Sequence, residues 1–335
     1  MFKSEIAALM LSVAAPDCAY ISESHAVLEN AYLAGQLVHA EEMTSALLRC
    51  DDIDPGDELR LRLRLFKIHD RVGLHTNSRP VKKAKKALDS AESLRAKLSA
   101  KDKGLLTLGW AEYYYRAEMQ QRSFSKASKY AVEAEQIFDA LHDKHGQADA
   151  VHRQGLIRFQ QRRIDGDNAL TEARQLFDRS LALDLAGGAR LIFCGDYNRH
   201  IGFIENEYGN EPAVLAHFEK SLECRRQAGA MDQAMFALQS LASTKLRGGD
   251  AQGSLNLLLE ALLIAERIPS PMMRMQVAKS AGDTYLVMGK IAAACTAYET
   301  SLSASLELSS VFFADTAQGL LSEHCEGSAR KQRVP

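Results

Sequence analysis

The stretch SAGDTYLVMGKIAAACTAYETSL, Ser280 to Leu302, decides the fold, because its small and bulky positions return upstream at a fixed step. Gly282, Gly289, Ala294 and Tyr298 are preceded, forty residues earlier, by Ala242, Gly249, Ser254 and Leu258. Another forty residues back stand Gly202, Gly209, Val214 and Phe218, and Ser221, Ala261 and Ser301 keep the same interval. A constant period of this length is the signature of a stacked helical array, in which each unit buries its apolar face only against its neighbours.

Apolar residues recur at helical spacing along most of the chain, as in Ala127, Tyr130, Ala131, Ala134 and Phe138. Strand patterns are nearly absent. Breaks at Asp51–Gly56, His75–Pro80, Asp143–Gly146, Ile164–Asp167, Gly187–Gly188, Gly209–Pro212, Gly248–Asp250 and Pro269–Pro271 cut the chain into about fifteen helices, or seven hairpins and a terminal helix. LRLRLRLFKI, Leu59 to Ile68, alternates with period two, which by itself argues for a strand. A lone strand amid helices would leave its edges unpaired, so the context predicts a helix that buries leucine on two sides while arginine stems reach outward.

With 335 residues, 46% of them hydrophobic and 25% charged, and a formal charge of -2, the composition is that of a globular protein. The near-neutral balance makes neither nucleic acid nor a membrane the default partner, and any charge-based function must be local. Six scattered cysteines without a CxxC pair, in a chain with ample core, read as reduced, packed thiols in a cytoplasmic setting. The amino terminus MFKSEIAALMLSVAAPDCA has a lysine ahead of an apolar run, as secretory signals do. Glu5 and the shortness of that run, about nine residues, argue against export and against a bilayer span.

The spacing has a mechanical reason. Small residues at Gly202, Ala242 and Gly282 let the first helix of a hairpin approach the second, and Phe218, Leu258 and Tyr298 fill the groove. Gly282, Tyr285, Gly289, Ala294 and Tyr298 together resemble a tetratricopeptide repeat (TPR) hairpin. The forty-residue step resembles the long-helix variety of partner-of-inscuteable-type adaptors, kinesin light chains, Rap regulators and MalT-like sensors. The resemblance is specific over Arg190–Leu308 and fair over Gly146–Leu185; Val214 and Ser254 stand where alanine is usual, and most copies lack the closing proline. Upstream, Gly35 with Ala40, and Leu108, Gly109 and Trp110, echo the pattern with irregular loops. The fold implied is an all-α, right-handed superhelical solenoid of antiparallel helix hairpins. Residues 1–145 form degenerate amino-terminal hairpins, 146–308 the regular repeats, and 309–335 a capping helix with a basic tail.

GxxxxGK[ST], HExxH and GxSxG are all absent, and no cofactor motif is present. Cys194 and His200 stand about 240° apart round one helix, which separates them as a nucleophile and base. His142, His145 and His152, with Asp143 and Asp149, straddle a turn and lack a complete metal-ligand set. The expectation is a protein that is not an enzyme and holds no metal.

Three features carry a binding reading. From Arg60 to Lys86 there are ten lysines and arginines and one acid, Asp70. Arg60, Arg64, Lys67 and Arg71 form one helical stripe, and Lys82, Lys83, Lys85 and Lys86 follow. This is a dock for an acidic partner or nucleic acid, or a solvated face balanced by acids elsewhere. Trp110, Tyr113 and Tyr114 share a face, as peptide anchors or as packing between hairpins. By analogy with the family, residues near the small position line the concave surface, which selects His152, Arg199, Phe203, Asn206, Gln239 and Lys279 among others. Two cations and two polar donors, His152, Arg199, Gln239 and Lys279, sit three residues before the small position in successive repeats. That rank suits an extended or helical peptide bearing carboxylates. It resembles a chaperone-binding carboxylate clamp without its full lysine and asparagine set.

These readings predict an adaptor or scaffold that binds a protein or peptide, acidic in character, through a concave groove, with nucleic acid and membrane not expected. The resemblance to MalT-like and Rap proteins implies a second class: a regulatory module that binds a ligand and changes conformation. Buried polar groups gathered in one closed pocket would favour this second class over a long open groove.

Overall fold

The computed structural model describes residues 18, 21–76, 81–119, 121, 123–268 and 270–325; the amino-terminal apolar run and the basic tail lie outside them. Within the described residues there are fifteen α-helices and no strand. They pair as α1 (Ile21–Leu33) with α2 (Leu37–Leu47), α3 (Pro55–His75) with α4 (Val81–Glu92), and α5 (Ala100–Ala117) with α6 (Ser125–Ala140). Then come α7 (Lys144–Asp165) with α8 (Asp167–Gly187), α9 (Leu191–Glu207) with α10 (Glu211–Gln227), and α11 (Met231–Arg247) with α12 (Ala251–Arg267). The last pair is α13 (Pro271–Val287) with α14 (Ile291–Glu307), and α15 (Val311–His324) packs on α14 as the terminal helix.

Local chemistry sets the boundaries. Asp54, Asp143, Asp250 and Ser270 each cap a helix by accepting a backbone N–H of its first turn, and Pro55, Pro212 and Pro271 stand in first turns, where their missing N–H costs nothing. The other four prolines lie outside the described residues. At the ends of α9, α11 and α13, Gly209, Gly249 and Gly289 take φ of +72°, +86° and +71°. The residue after each glycine returns its N–H to the carbonyl five positions back, as in Lys290 to Tyr285 at 2.9 Å, the Schellman arrangement that left-handed glycine permits. The alternating LRLRLRLFKI segment is helical within α3, with Leu59, Leu61, Phe66 and Ile68 buried.

The repeated small residue meets the repeated ring. A methyl group at Gly282 would lie 2.4 Å from Cε1 of Tyr298, and one at Gly202 would lie 2.6 Å from Cε1 of Phe218. Ser221 and Ser301 reach the preceding helix, donating to the carbonyls of Gly195 at 2.7 Å and Met275 at 3.0 Å. The core then runs unbroken from Val214 and Phe218 on α10 to Val277 and Ala281 on α13.

The six cysteines correct the sequence reading. Cys18–Cys50, Cys194–Cys224 and Cys295–Cys325 are disulfides, with Cα atoms 5.7, 6.0 and 5.8 Å apart. The pairs are 30 to 32 residues apart, an interval that brings Cys194 of α9 and Cys224 of α10 within bridging distance and ties Cys295 of α14 to the residue after α15. Without free thiols, the cysteine-based ground for a cytoplasmic setting is gone. Among the described residues, no helix is long and apolar enough to cross a membrane.

Two outcomes follow. Gly282→Leu should lower stability by about 3 kcal/mol through overpacking against Tyr298, measured as a reduced urea midpoint. A thiol reagent applied to the denatured, unreduced chain should find no reactive cysteine; six reactive thiols would refute the pairing.

Candidate functional site

The array curves until its amino-terminal hairpins touch later repeats. Tyr32, Leu37 and Ile68 pack with Ala230, and Ile192 packs against the same cluster. Asp232, at the start of α11, receives Arg71 Nε of α3 at 3.3 Å, and His75 Nε2 lies 3.4 Å from the same carboxylate oxygen. His75 also hydrogen-bonds Ser270, the cap of α13, at 2.6 Å. These contacts span 161 and 195 residues of chain and bring α3 against α11 and α13. They bound a cavity of about 340 Å³ walled by the odd-numbered helices α1 to α11 and by Arg225 of α10.

Its wall is dense with charge. Six cations, Lys67, Arg71, Arg116, Arg153, Arg199 and Arg225, face four carboxylates, Asp70, Glu112, Asp196 and Asp232. Each carboxylate has an arginine: Asp70 with Arg116 at 3.4 Å, Glu112 with Arg153 at 3.4 Å, Asp196 with Arg225 at 3.0 Å, and Asp232 with Arg71. Lys67 and Arg199 are left with no carboxylate within ion-pair distance among the described residues. Arg199 instead lies over the Phe203 ring at 4.7 Å, and Arg71 lies over Tyr32 at 3.8 Å.

The surroundings shift protonation in two directions. Burial, and then the charge of Arg225, push the Arg199 guanidinium down to about 10, and burial lowers Lys67. Burial would raise Glu112, but Arg153, Lys67, Arg116 and Arg71 outweigh it and hold its carboxyl below the ordinary value. Asp70 goes the other way, raised by burial against the pull of Arg116. His152, 8% exposed and ringed by Phe177, Phe193 and His200, is held down to about 4 by burial, and His200 is likewise lowered. Both imidazoles are therefore neutral at pH 7. Of ten buried side-chain polar atoms without a hydrogen-bond partner among the described residues, eight belong to this wall: His75 Nε2, Arg116 Nε, both nitrogens of His152, Arg199 Nε, His200 Nδ1, Arg225 Nε and Gln233 Oε1. Native proteins leave few such atoms, and here they gather on one wall.

No family model and no curated protein matches the chain. Solved structures do match in shape. A Rap protein complexed with competence and sporulation factor aligns at 16% identity and TM-score 0.56, covering 92% of this chain and 88% of its own. Aspartyl phosphate phosphatase F from Bacillus subtilis aligns at 13% identity and TM-score 0.56, with 94% and 82% covered. A signal-transduction ATPase with a tetratricopeptide repeat sensor from Pyrococcus horikoshii aligns at 15% identity and TM-score 0.54; the match covers 91% of this chain but 46% of that one. The fold is TPR-like.

Within this TPR-like array the sequence-predicted residues part company. His152 and Arg199 face the cavity, and so do Lys67 and Arg71 from the basic stripe, which the sequence placed at the other end of the array. Arg60 is engaged by Asp57 at 2.8 Å and Asp102 at 3.4 Å, and Arg64 by Glu29 and the Tyr32 ring. Their charge is therefore answered inside the fold, and neither is a free dock. Phe203, Asn206 and Gln239 line a separate cleft of about 270 Å³ with Arg247 and Ser280, where Arg247 Nη2 donates to Asn206 Oδ1 at 2.6 Å. Lys279 lines neither, being paired with Asp283 at 2.8 Å.

Trp110 is 7% exposed and packs with Leu59, Phe66 and Leu88, its Nε1 donating to Glu92 at 2.8 Å; it is core, not an exposed anchor. Tyr114 is half-buried and stacks on Tyr130, centroids 5.5 Å apart. Cys194, Asp196 and His200 form no nucleophile, since Cys194 is in a disulfide and Asp196 holds Arg225. Asp143 caps α7, and His145 bonds the Gly188 carbonyl at 2.7 Å.

The sequence reading missed Glu112, Arg116, Arg153, Asp196, Arg225 and Asp232. Arg153 follows His152 directly and Asp196 precedes Arg199 by three, so helical spacing from the selected positions could have found them. Arg225 and Asp232 flank the α10–α11 turn and carry no local signal.

Buried neutral His152 gives a pH prediction. Its folded value of about 4 is below the ordinary 6.5, so between these values the unfolded chain binds more protons. Its contribution is complete above pH 6.5 and is lost as pH falls toward 4, by about 3 kcal/mol. His152→Phe should flatten the fall of the urea midpoint over that window; an unchanged slope would place the titration elsewhere.

Proposed function

We propose that the chain is a ligand-sensing regulatory module whose site is the concave cavity, and that binding is coupled to the contacts joining α3 to α11 and α13. The observation that carries this is the gathering on one wall of eight buried polar atoms without a hydrogen bond, two of which, His75 Nε2 and Arg116 Nε, face carboxylates at 3.4 Å. Such atoms cost about 1–3 kcal/mol each when left unmet, and a ligand that meets them gains specificity from the same cost. The coupling has a physical basis, because Arg71 and His75 both line the cavity and hold Asp232 across the superhelix. A ligand touching these groups changes the balance of the closing contacts.

A protein-interaction scaffold is the second reading, favoured by the cleft that Phe203, Asn206 and Gln239 line outside the cavity. An effector protein docking there would be the output of the sensor. We propose a protein partner for that surface and no catalytic role for the chain.

The two readings separate on Arg199 and the cleft. Chain recovered from its native source and denatured should release a small molecule near one equivalent, and Arg199→Glu should abolish this. Lys279→Ala should leave it unchanged, because Lys279 faces Asp283 outside the cavity. If nothing is released, and a co-purifying protein is lost on Gln239→Ala but retained by Arg199→Glu, the scaffold reading stands instead.

A further inference from the structure

We infer that the cavity takes a small organic anion, whose carboxylate or phosphate group is held by Lys67 and Arg199. This rests on the cavity being the ligand site. The charge inventory carries it: four carboxylates on the wall are each matched by one arginine, and two cations remain. Glu112, the carboxylate acting most strongly on Lys67, is already engaged with Arg153.

A cation enclosed by protein and unpaired is costly, and the cost is relieved by an anion that supplies charge and hydrogen-bond acceptors together. Lys67 is an exposed residue that lines the cavity, so its ammonium is open to a molecule bound there. Arg199 Nε is buried without an acceptor, and both nitrogens of His152 are unpartnered in a residue 8% exposed. A neutral imidazole donates one N–H to an anionic oxygen without adding a charge.

The rest of the wall describes the rest of the ligand. Leu156, Tyr115 and Phe236 give it apolar and aromatic patches, so the anion has a hydrocarbon or ring body. About 340 Å³ is at the small end of ligand cavities, which excludes a folded segment and suits a compact molecule.

Dicarboxylates and phosphate esters share this chemistry, and titration distinguishes them. The full chain is titrated by calorimetry, with thermal unfolding in parallel, against succinate, phenyl phosphate and inorganic phosphate; succinamide and a set of uncharged aromatic fragments are the neutral arm. We expect succinate or phenyl phosphate to bind and raise the melting temperature while succinamide does not, the tighter of the two identifying the head group. Lys67→Met and Arg199→Met should each weaken that binding by about tenfold or more. Arg199→Met should also unfold at a higher temperature than the parent when unliganded, because a half-buried cation without a carboxylate has been removed, and Lys67→Met, at an exposed position, should unfold no lower than the parent. Those temperatures show that lost binding is not lost folding. The inference is overturned if no anion binds, if succinamide binds as well as succinate, or if both methionine variants bind the anion unchanged. In those cases the neutral fragments decide the fate of the cavity itself. Fragments displaced by Phe236→Trp would keep it as a ligand site of other chemistry, and fragments indifferent to that substitution would end the sensor reading as well.

Discussion

Three of the regular hairpins, α7–α8, α9–α10 and α13–α14, close on a ring that occupies the space a glycine of the partner helix leaves empty. Tyr298 lies where Gly282 has no Cβ, and Phe218 lies where Gly202 has none. The close approach fixes the distance and crossing of the paired helices, because a ring wedged against backbone has little freedom to shift. Repeating one rigid step at a constant period compounds a small rotation into a superhelix. Every odd-numbered helix from α1 to α11 then supplies residues to the inner wall. The cavity thus follows from packing within the hairpins, which its own residues extend: His152 and His200 lie against Phe177, the ring that fills the space at Gly155.

Curvature alone would leave an open groove. The difference is made by α3, whose Arg71 and His75 reach Asp232, a residue only 1% exposed, and by Ile68, which packs beside Ala230. Removing one member of a buried ion pair leaves the other uncompensated, so the closing contact is strong against partial loss even where its net contribution is modest. Buried polar atoms without a hydrogen bond, such as Arg199 Nε and both nitrogens of His152, lower the stability of the chain. The apolar core that offsets this runs through α10 to α13.

The fold was legible because the repeat is local. Gly282, Gly289 and Tyr298, read against their copies forty residues upstream, gave the hairpin, its glycine turn and its filling ring without any long-range knowledge. The α3 segment was legible only through context, since its leucine alternation argued for a strand until its neighbours were considered. The site was half legible. His152 and Arg199 came from their position relative to the small residue, and Lys67 and Arg71 from the charge stripe. Nothing local says that these groups meet: contacts spanning 161 and 195 residues depend on accumulated rotation, which a one-dimensional pattern does not display. Trp110 misled for a similar reason. An aromatic face between hairpins and one on a concave surface have the same helical spacing, and only the presence of Leu88 and Glu92 beside it decides.

The same residues that close the ring therefore face the ligand site, and this has a thermodynamic consequence on the reading proposed above. Arg71 is shared between Asp232 and the cavity, and Arg225 between Asp196 and the cavity. An anion drawn to Lys67 and Arg199 adds negative charge beside both arginines, so it competes with Asp232 and Asp196 for them. A ligand that weakens the hold of Asp232 loosens α3 from α11. By reciprocity, any partner that favours the loosened arrangement strengthens ligand binding by the same factor. The disulfide between Cys194 and Cys224 ties α9 to α10 within two residues of Asp196 and one of Arg225. That tie confines the rearrangement: α9 and α10 move as one body, and the change is carried by the junction with α3, which no covalent bond spans.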